Sequence, residues 1–241
     1  MKFIALIPAR LQSERFPEKL LQDLNGKPVI LRTYESVSAT GVFDEVVVAT
    51  GDEQIAEVIL NGGGEVFVNR RAHPSGTDRI AEAAEHLEAD IVVNIQGDEP
   101  FVSLDDMRRI RETFEADSEK QIDILSFCRP ITRQDEFMNP DSVKVVTGPE
   151  GFALYFSRAP IPYPRDGRLR HACRHIGIYA FRRDVLRRVA QLPPSRLEQI
   201  EKLENLRFLE NGYRIKILET RFPYAGIDTP EDLEKARKQW K

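Results

Sequence analysis

The sequence predicts an α/β protein: a doubly wound, mostly parallel sheet carrying a smaller α+β insertion lobe. Three observations point there. Short apolar runs alternate with segments of helical period, as strand–helix–strand crossovers require. Three of the runs are almost continuously apolar, the pattern of parallel strands covered on both faces. Past a soft boundary near residue 130 the alternation gives way to hairpin and proline-loop texture.

Taken in order, "FIALI", "EVVVAT", "EVFVN" and "DIVVNI" are the expected strands of the first part, and the first, second and fourth are the apolar ones. Between them "PVILRTYESVSA", "DEQIAEVIL" and "DRIAEAAEHL" place apolar residues at helical spacing. "SLDDMRRIRETF" opens on a capping pair, Ser103 and Asp106, and "IDILSF" is a further strand. Then "SVKVVTGPEGFALYFS" reads as two strands about the turn Gly148-Pro149-Glu150-Gly151. "APIPYPRDGRLR" is a loop, "HIGIYAF" a strand and "RDVLRRVAQL" a helix. "PPSRLEQIEKLENLRFLENG" reads as one helix, with a capping box at Ser195 and Glu198 and Gly212 past its end. "YRIKILE" is a late strand and "AGID" a short strand-like piece. In "IDTPEDLEKARKQW", Thr229 caps a last helix, with Pro230 first inside it and Asp232 completing the cap. The chain is expected to form one domain over residues 1–241, with 131–212 as the lobe.

The bulk composition bounds the partners. The 241 residues are 41% hydrophobic and 31% charged, which leaves room for a sizeable core, and the formal charge is −4. An acidic chain argues against nucleic acid as a partner. Cys128 and Cys173 form no CxxC pair and no zinc spacing, so they are expected to be reduced thiols of a cytoplasmic protein. The five-residue apolar run after "MK" is too short for a signal-peptide core or a membrane span.

Ligands of parallel sheets bind at the carboxyl ends of the strands. There "IPARLQSERFPEKLL" delivers Arg10, Arg15 and Lys19 into one loop, without the glycines of a GxGxxG or a P-loop. Three cations suit a triphosphate. The competing reading is a solvated loop whose cations Glu14 and Glu18 neutralise. "VVNIQGDEP" carries Gln96 and Asp98 to the same rim, where Asp98 is either a turn residue or a ligand for a hard cation. Asp228 stands just before a helix cap and is either a helix-dipole partner or a second such ligand. Ser75, Gly76, Thr77 and Arg79 of "HPSGTDRI" open a helix, suited to reading a base edge or to plain capping. Eight arginines stand against two aspartates between Arg165 and Arg188. This is either a reserve for an anion or a basic face paired with the helix carrying Glu198, Glu201 and Glu204. His175 alone reads as a packed histidine, and Leu197, Ile200, Leu203 and Leu206 as core or a dimer face.

Taken together, "IPAR…SERFPEKLL", "NGKP", "VATGDE", "GGEV", "SGTDR", "VVNIQGDEP", "FALYFSRAPIP", "HIGIYAF", "LEQIEKLENLRFLENGYRI" and "IDTPEDLE" resemble the CMP-Kdo synthetases, the 3-deoxy-manno-octulosonate cytidylyltransferases. These stretches run in the same order from Leu6 to Glu234. The resemblance implies a Rossmann-like nucleotidyltransferase fold. It also implies transfer of CMP from CTP to Kdo or a close 2-keto-3-deoxy sugar acid such as 8-amino-Kdo, with Mg²⁺, for lipopolysaccharide biosynthesis. It implies a homodimer through the lobe. Arg10, Arg15 and Lys19 fall on triphosphate-binding positions, Ser75, Arg79 and Gln96 where cytidine is held, and Asp98 and Asp228 on the metal aspartates. Arg10, Lys19, Asp98 and Asp228 are thereby the catalytic set. Arg158, His175, Tyr179, Glu204 and Asn205 fall in the stretches lining the sugar-acid pocket, with Arg158 favoured as donor to the sugar carboxylate. Two departures stand out. Glu18 replaces the family's usual glycine, adding a carboxylate and stiffening the loop, and Asn205 replaces glutamine, shortening an amide by one methylene. The alternatives are an acylneuraminate-type cytidylyltransferase and a metal-dependent glycosyltransferase using a nucleotide sugar. The latter has no need of a cationic loop built for a triphosphate.

Overall fold

A computed structural model describes residues 1–13, 15–71, 73 and 75–240. It divides into two compact units, Met1–Glu112 with Pro223–Lys241, and Thr113–Phe222. In the first unit, strands β1 (Phe3–Ala9), β2 (Glu45–Thr50), β3 (Glu65–Val68) and β4 (Ile91–Asn94) lie in the order β3-β2-β1-β4, and each neighbouring pair is parallel. Leu6 of β1 registers with Val47 on one side and Asn94 on the other. All seven residues of β1 are buried, which is why its sequence shows no polar alternation. Helices α1 (Val29–Ala39), α2 (Glu53–Asn61) and α3 (Gly76–His86) make the crossovers. The chain leaves β1 to β2 and β3 on one side and returns to β4 on the other, so the strand order reverses between β1 and β4. That switch point is where a doubly wound sheet opens a crevice.

Helix α4 (Leu104–Ala116) comes next, and the division between the units falls within it. Ser103 Oγ accepts from Asp106 N at 3.1 Å, the cap expected from the sequence. The second unit holds β5 (Ile124–Pro130), α5 (Gln134–Met138), β6 (Lys144–Thr147), β7 (Ala153–Ser157), β8 (Cys173–Arg182), α6 (Arg183–Val189), α7 (Arg196–Glu201), α8 (Glu204–Glu210) and β9 (Ile215–Glu219). β5 pairs antiparallel with β8 and parallel with β9, and β6 pairs antiparallel with β7 and β8. The β6–β7 hairpin turns through Gly148–Gly151 as expected. Cys128 and Cys173 are free thiols. Helix α9 (Pro230–Gln239) belongs with the first unit, capped by Thr229 Oγ1, which accepts from Asp232 N at 3.2 Å. No helix among the described residues is long and apolar enough to cross a membrane.

Two expected elements differ. The single helix of "PPSRLEQIEKLENLRFLENG" is broken: α7 ends at Lys202, whose φ of 55° is left-handed, and α8 restarts after Leu203. The break lets Leu203 and Leu206 enter the core while Ile200, on the same apolar stripe, stays 66% exposed. "AGID" forms no strand. Instead Ile227 N donates to Asp98 O at 2.9 Å, which fastens the segment to the end of β4.

The capping box of α7 has both halves: Glu198 N donates to Ser195 Oγ at 3.4 Å and Ser195 N to Glu198 Oε2 at 2.9 Å. Ser195→Ala removes the first and is expected to cost about 1 kcal/mol locally. Native-state hydrogen exchange of the Glu198 and Gln199 amides should then quicken by roughly fivefold while the β1 amides are unaffected.

Candidate active site

A cleft of about 460 Å³ opens at the carboxyl ends of β1 and β4. Residues of four segments line it: the loop after β1, the turn before α3, the end of β4 and the entry to α9. Gly97 permits the approach, because a Cβ there would sit 3.1 Å from Pro8 O and 3.0 Å from Ile30 Cδ1. The loop after β1 is tied down where Leu11 N donates to Asp52 Oδ2 at 2.8 Å. It re-enters the fold through Glu18, left-handed with φ 52°, into a short 3₁₀ turn at Lys19–Leu21. Left-handed backbone favours glycine, so the conformation explains the glycine expected at this position.

Lys19 Nζ donates to Asp98 Oδ2 and, at 3.0 Å, to Asp228 Oδ1. Arg15 Nη2 reaches the same Asp228 oxygen at 3.1 Å. The two aspartates, 130 positions apart in number, are thus joined by one ammonium. Burial alone would push the Lys19 ammonium toward its neutral form. The charge of Asp98 and the hydrogen bonds to both carboxylates outweigh it and hold the pKa above the usual lysine value. Asp98 and Asp228 thus serve as carboxylate partners of Lys19 and Arg15, where one reading of the loop gave that part to Glu14 and Glu18. Glu14 lies outside the described residues. Arg10 lines the cleft and is exposed.

Two convergent carboxylates suit a hard divalent cation, which takes oxygen ligands. Among the described residues no group of three or more His, Cys, Asp or Glu side chains is placed to hold a metal, so the carboxylates this cleft could offer one are the pair Asp98 and Asp228. Mg²⁺ commonly keeps waters and shares one or two carboxylates with substrate phosphates, and the pair fits that habit.

At the start of α3, Ser75 Oγ accepts from Asp78 N at 3.1 Å and donates to Asp78 Oδ2 at 2.8 Å, so its side chain is engaged as the cap. Arg79 Nη1 donates to Ala9 O at 2.5 Å, while its Nε is buried with no acceptor among the described residues. Desolvation first, and the neighbouring charge of Arg10 second, lower the Arg79 pKa against the opposing charge of Asp52. Gln96 Nε2 donates to Asn94 Oδ1 at 3.2 Å. Ser75, Arg79 and Gln96 all line the cleft. Sequence reasoning missed His73, which also lines it, and the carboxylate behind it. His73 Nε2 lies 2.7 Å from Glu82 Oε2, which also accepts from Asn69 Nδ2 at 2.8 Å. "HPSGTDRI" displays the histidine, but nothing local marks Glu82, deep in a helix nine positions on.

The five residues expected to line a sugar pocket lie in the second unit. Asn205 Nδ2 donates to Tyr179 Oη at 3.1 Å, and Asn205 Oδ1 is buried with no donor among the described residues. His175 packs against Phe156 and Tyr179 and lies 2.9 Å from Ser126 Oγ. Desolvation of the enclosed ring, with the charge of Arg174 added, pushes the imidazole pKa down to about 3, so it is neutral. Glu204 begins α8, 3.9 Å from Arg207. Arg158 spends its guanidinium on backbone carbonyls: Nε on Glu201 at 2.8 Å, Nη1 on Pro140 at 3.0 Å and Nη2 on Lys202 at 3.5 Å. It therefore staples the α7–α8 corner. A second residue passed over in the sequence, Lys144, is fully buried and donates to Asn139 O at 2.9 Å and Arg158 O at 2.6 Å. Several arginines of the basic run and carboxylates of the acidic helix have separate partners, where one of the two readings of the run paired them with each other. Glu198 binds Arg207 and Glu201 binds Ser157 and Arg158, whereas Arg174, Arg182 and Arg188 pair with Glu136, Asp117 and Asp184.

Comparison with known proteins adds an independent line. The sequence pattern of a family described as Cytidylyltransferase matches residues 4–217. A 3-deoxy-manno-octulosonate cytidylyltransferase of Christiangramia forsetii is 50% identical over 238 residues, 98% of this chain and 96% of the relative. One of Flavobacterium johnsoniae is 52% identical over 239 residues, 98% of each. Among solved structures, a CMP:2-keto-3-deoxy-manno-octonic acid synthetase complexed with CTP superposes with a TM-score of 0.93. It is 40% identical and covers 99% of this chain and 98% of that one.

Glu82 is 6% exposed, and its pKa is lowered to about 2. Burial opposes ionisation, but the hydrogen bonds from His73, Asn69 and Arg70 N overcome it. A carboxylate whose folded pKa lies below its unfolded one stabilises above the unfolded value, and that stability is lost as pH falls through the folded value. Wild type should exceed E82Q in urea stability at neutral pH by an amount on the order of 3 kcal/mol. The gap should close between pH 4.5 and about 2.

Proposed function

The chain belongs to the cytidylyltransferase family, among the 3-deoxy-manno-octulosonate cytidylyltransferases, and from that premise we propose that it transfers the CMP group of CTP to Kdo, releasing pyrophosphate. The observation that carries this reading is the convergence of Asp98 and Asp228 on Lys19, beside Arg10 and Arg15, at the switch point of the sheet. A cleft of that charge pattern suits a polyphosphate with a divalent cation better than a neutral ligand or a hydrolytic reaction.

The nucleophile is the sugar's own anomeric hydroxyl. It gives up its proton to water and attacks the α-phosphorus, the bond from that phosphorus to the bridging oxygen breaks, and pyrophosphate leaves in line. No side-chain nucleophile is required, so the protein contributes position and charge. Arg10 and Lys19 hold the β- and γ-phosphates and stabilise the charge that builds on the leaving group, with Arg15 adding a third cation. Lys19 has three donors and an ammonium that turns freely, so it can exchange a carboxylate for a phosphate oxygen without losing its charge. Asp98 and Asp228 are the residues to hold Mg²⁺, which when bound neutralises phosphate charge and acidifies a coordinated hydroxyl. Ser75, Arg79 and Gln96 hold the cytidine. In the second unit, His175, Tyr179, Glu204 and Asn205 serve the sugar acid, with Arg158 fixing the corner that carries the last two. The product then feeds lipopolysaccharide biosynthesis. The protein works in the cytoplasm as a homodimer formed through the second unit.

The test is pyrophosphate release with each of four nucleoside triphosphates against Kdo, 8-amino-Kdo and N-acetylneuraminate. CTP with Kdo or its amino analogue should be the productive pairing, and turnover with UTP or GTP alone would overturn the base assignment. Asp98→Asn should lower kcat by at least about a hundredfold, on the scale of removing one electrostatic stabiliser. Unchanged turnover in that variant would remove the metal role.

A further inference from the structure

The mechanism leaves one cleft residue, His73, unused. His73 lies between the cation loop's cleft and a buried carboxylate: its side chain is 11% exposed and that of Glu82 only 5%. An ionised carboxylate is expensive to bury. Here it is surrounded by donors, since Asn69 Nδ2 gives to Oε2 at 2.8 Å and Arg70 N to Oε1 at 3.3 Å. With both oxygens serving as acceptors, the imidazole nitrogen at 2.7 Å from Oε2 must be the donor. The proton of a neutral His73 is thereby fixed on Nε2, and Nδ1 is left as a lone-pair acceptor. On the same cleft wall, Arg79 Nε is a buried donor with no acceptor among the described residues. The wall therefore offers one fixed acceptor and one unspent donor.

Cytosine and uracil differ at this point. Cytosine presents an amine donor at position 4 and carbonyl and ring-nitrogen acceptors beside it; uracil presents an acceptor at position 4. A phosphate, all acceptors, would meet the Nδ1 lone pair unfavourably.

We propose that His73, held in one tautomer by Glu82, discriminates cytidine from uridine nucleotides by accepting a hydrogen bond from the cytosine 4-amino group, with Arg79 Nε donating to a base acceptor. The proposal rests on the cytidylyltransferase reading and adds the residue pair that chooses the base. His73 is the specificity-determining group and Glu82 the positioning residue behind it.

The experiment measures equilibrium binding of CTP and UTP with magnesium present, by calorimetry, for wild type, H73A, H73N and H73Q, beside pyrophosphate release by wild type. Asn places its amide where Nδ1 stands and can present an oxygen acceptor there; Gln reaches instead toward the Nε2 position. The preference of wild type for CTP should fall by about tenfold in H73A and H73Q through weaker CTP binding. H73N should retain more of it than H73Q. Should H73A not fold, as thermal unfolding will reveal, the Asn–Gln comparison decides alone. Equal weakening of CTP and UTP, or an unchanged ratio in both H73A and H73Q, would overturn the proposal, as would a wild type that binds both equally. Absence of pyrophosphate release with intact discrimination would instead sink the catalytic reading and leave the base-reading pair standing.

Discussion

The ammonium of Lys19 between Asp98 and Asp228 is the constraint on which the first unit's rim depends. Each charge comes from a different part of the chain: the 3₁₀ turn after β1, the end of β4, and the segment before α9. The lysine side chain is only 16% exposed and that of Asp98 21%, so neither charge is well solvated and each requires the other. Backbone geometry supplies the rest. Ile227 N bonds to Asp98 O, and Thr33 Oγ1 donates to Gly97 O at 2.8 Å. The turn after β4 is thus held from beneath by α1 and from the side by the C-terminal segment. Among the described residues lining the cleft, Lys19 and Arg15 pair with the two aspartates, and Arg10 and Arg79 add further positive charge. An acidic protein thereby keeps a local site fit for an anion.

Much of this was legible because the relevant signals are local. β1, β2 and β4 announce themselves as apolar runs too short for helices, and their burial on both faces leaves polar residues only at the ends. Asp98 stands just past the end of β4 and Asp228 just before the cap of α9, so their residue types are conspicuous. What the sequence could not display is convergence. Nothing in "QGDEP" or "IDTPEDL" states that their carboxylates share one ammonium; that arises from the strand order β3-β2-β1-β4 and the return of α9 to the first unit.

The unread features share a different cause: long-range partners override local pattern. The stripe Leu197, Ile200, Leu203, Leu206 has helical spacing straight through Lys202, and one left-handed residue does not disturb a period of that kind. The break becomes intelligible only with Arg158, whose guanidinium takes the carbonyls of Glu201 and Lys202 that a continuing helix would have used. Lys144 looks like the solvent-facing residue of "SVKVV", yet it is fully buried, because carbonyls of Asn139 and Arg158 await its ammonium. Desolvation first, then the charge of Arg158, lowers its pKa, and Glu201 opposes them. His73 and Glu82 belong to the same class: a histidine on a loop acquires its chemistry from a carboxylate hidden in the next helix.

The two departures from the family pattern separate backbone from side chain. At position 18 the side chain is exposed and the backbone is left-handed. A residue other than glycine costs on the order of 1 kcal/mol in that conformation, so the surroundings must impose it. They do: Leu21 N bonds to Glu18 O at 2.9 Å, Leu20 is 4% exposed, and Lys19 is committed to two aspartates. The turn is thus specified by Lys19, Leu20 and Leu21 rather than by the side chain of Glu18. At position 205 the case is reversed. The backbone is ordinary α8 helix and the side chain is buried, so the length of the amide decides what it touches. Asn205 reaches Tyr179 with its nitrogen and leaves its oxygen unmatched, whereas an amide one methylene longer would place both atoms elsewhere. Substitution at 18 therefore perturbs the strain of a loop, while substitution at 205 changes the hydrogen-bonding pattern of a buried cluster.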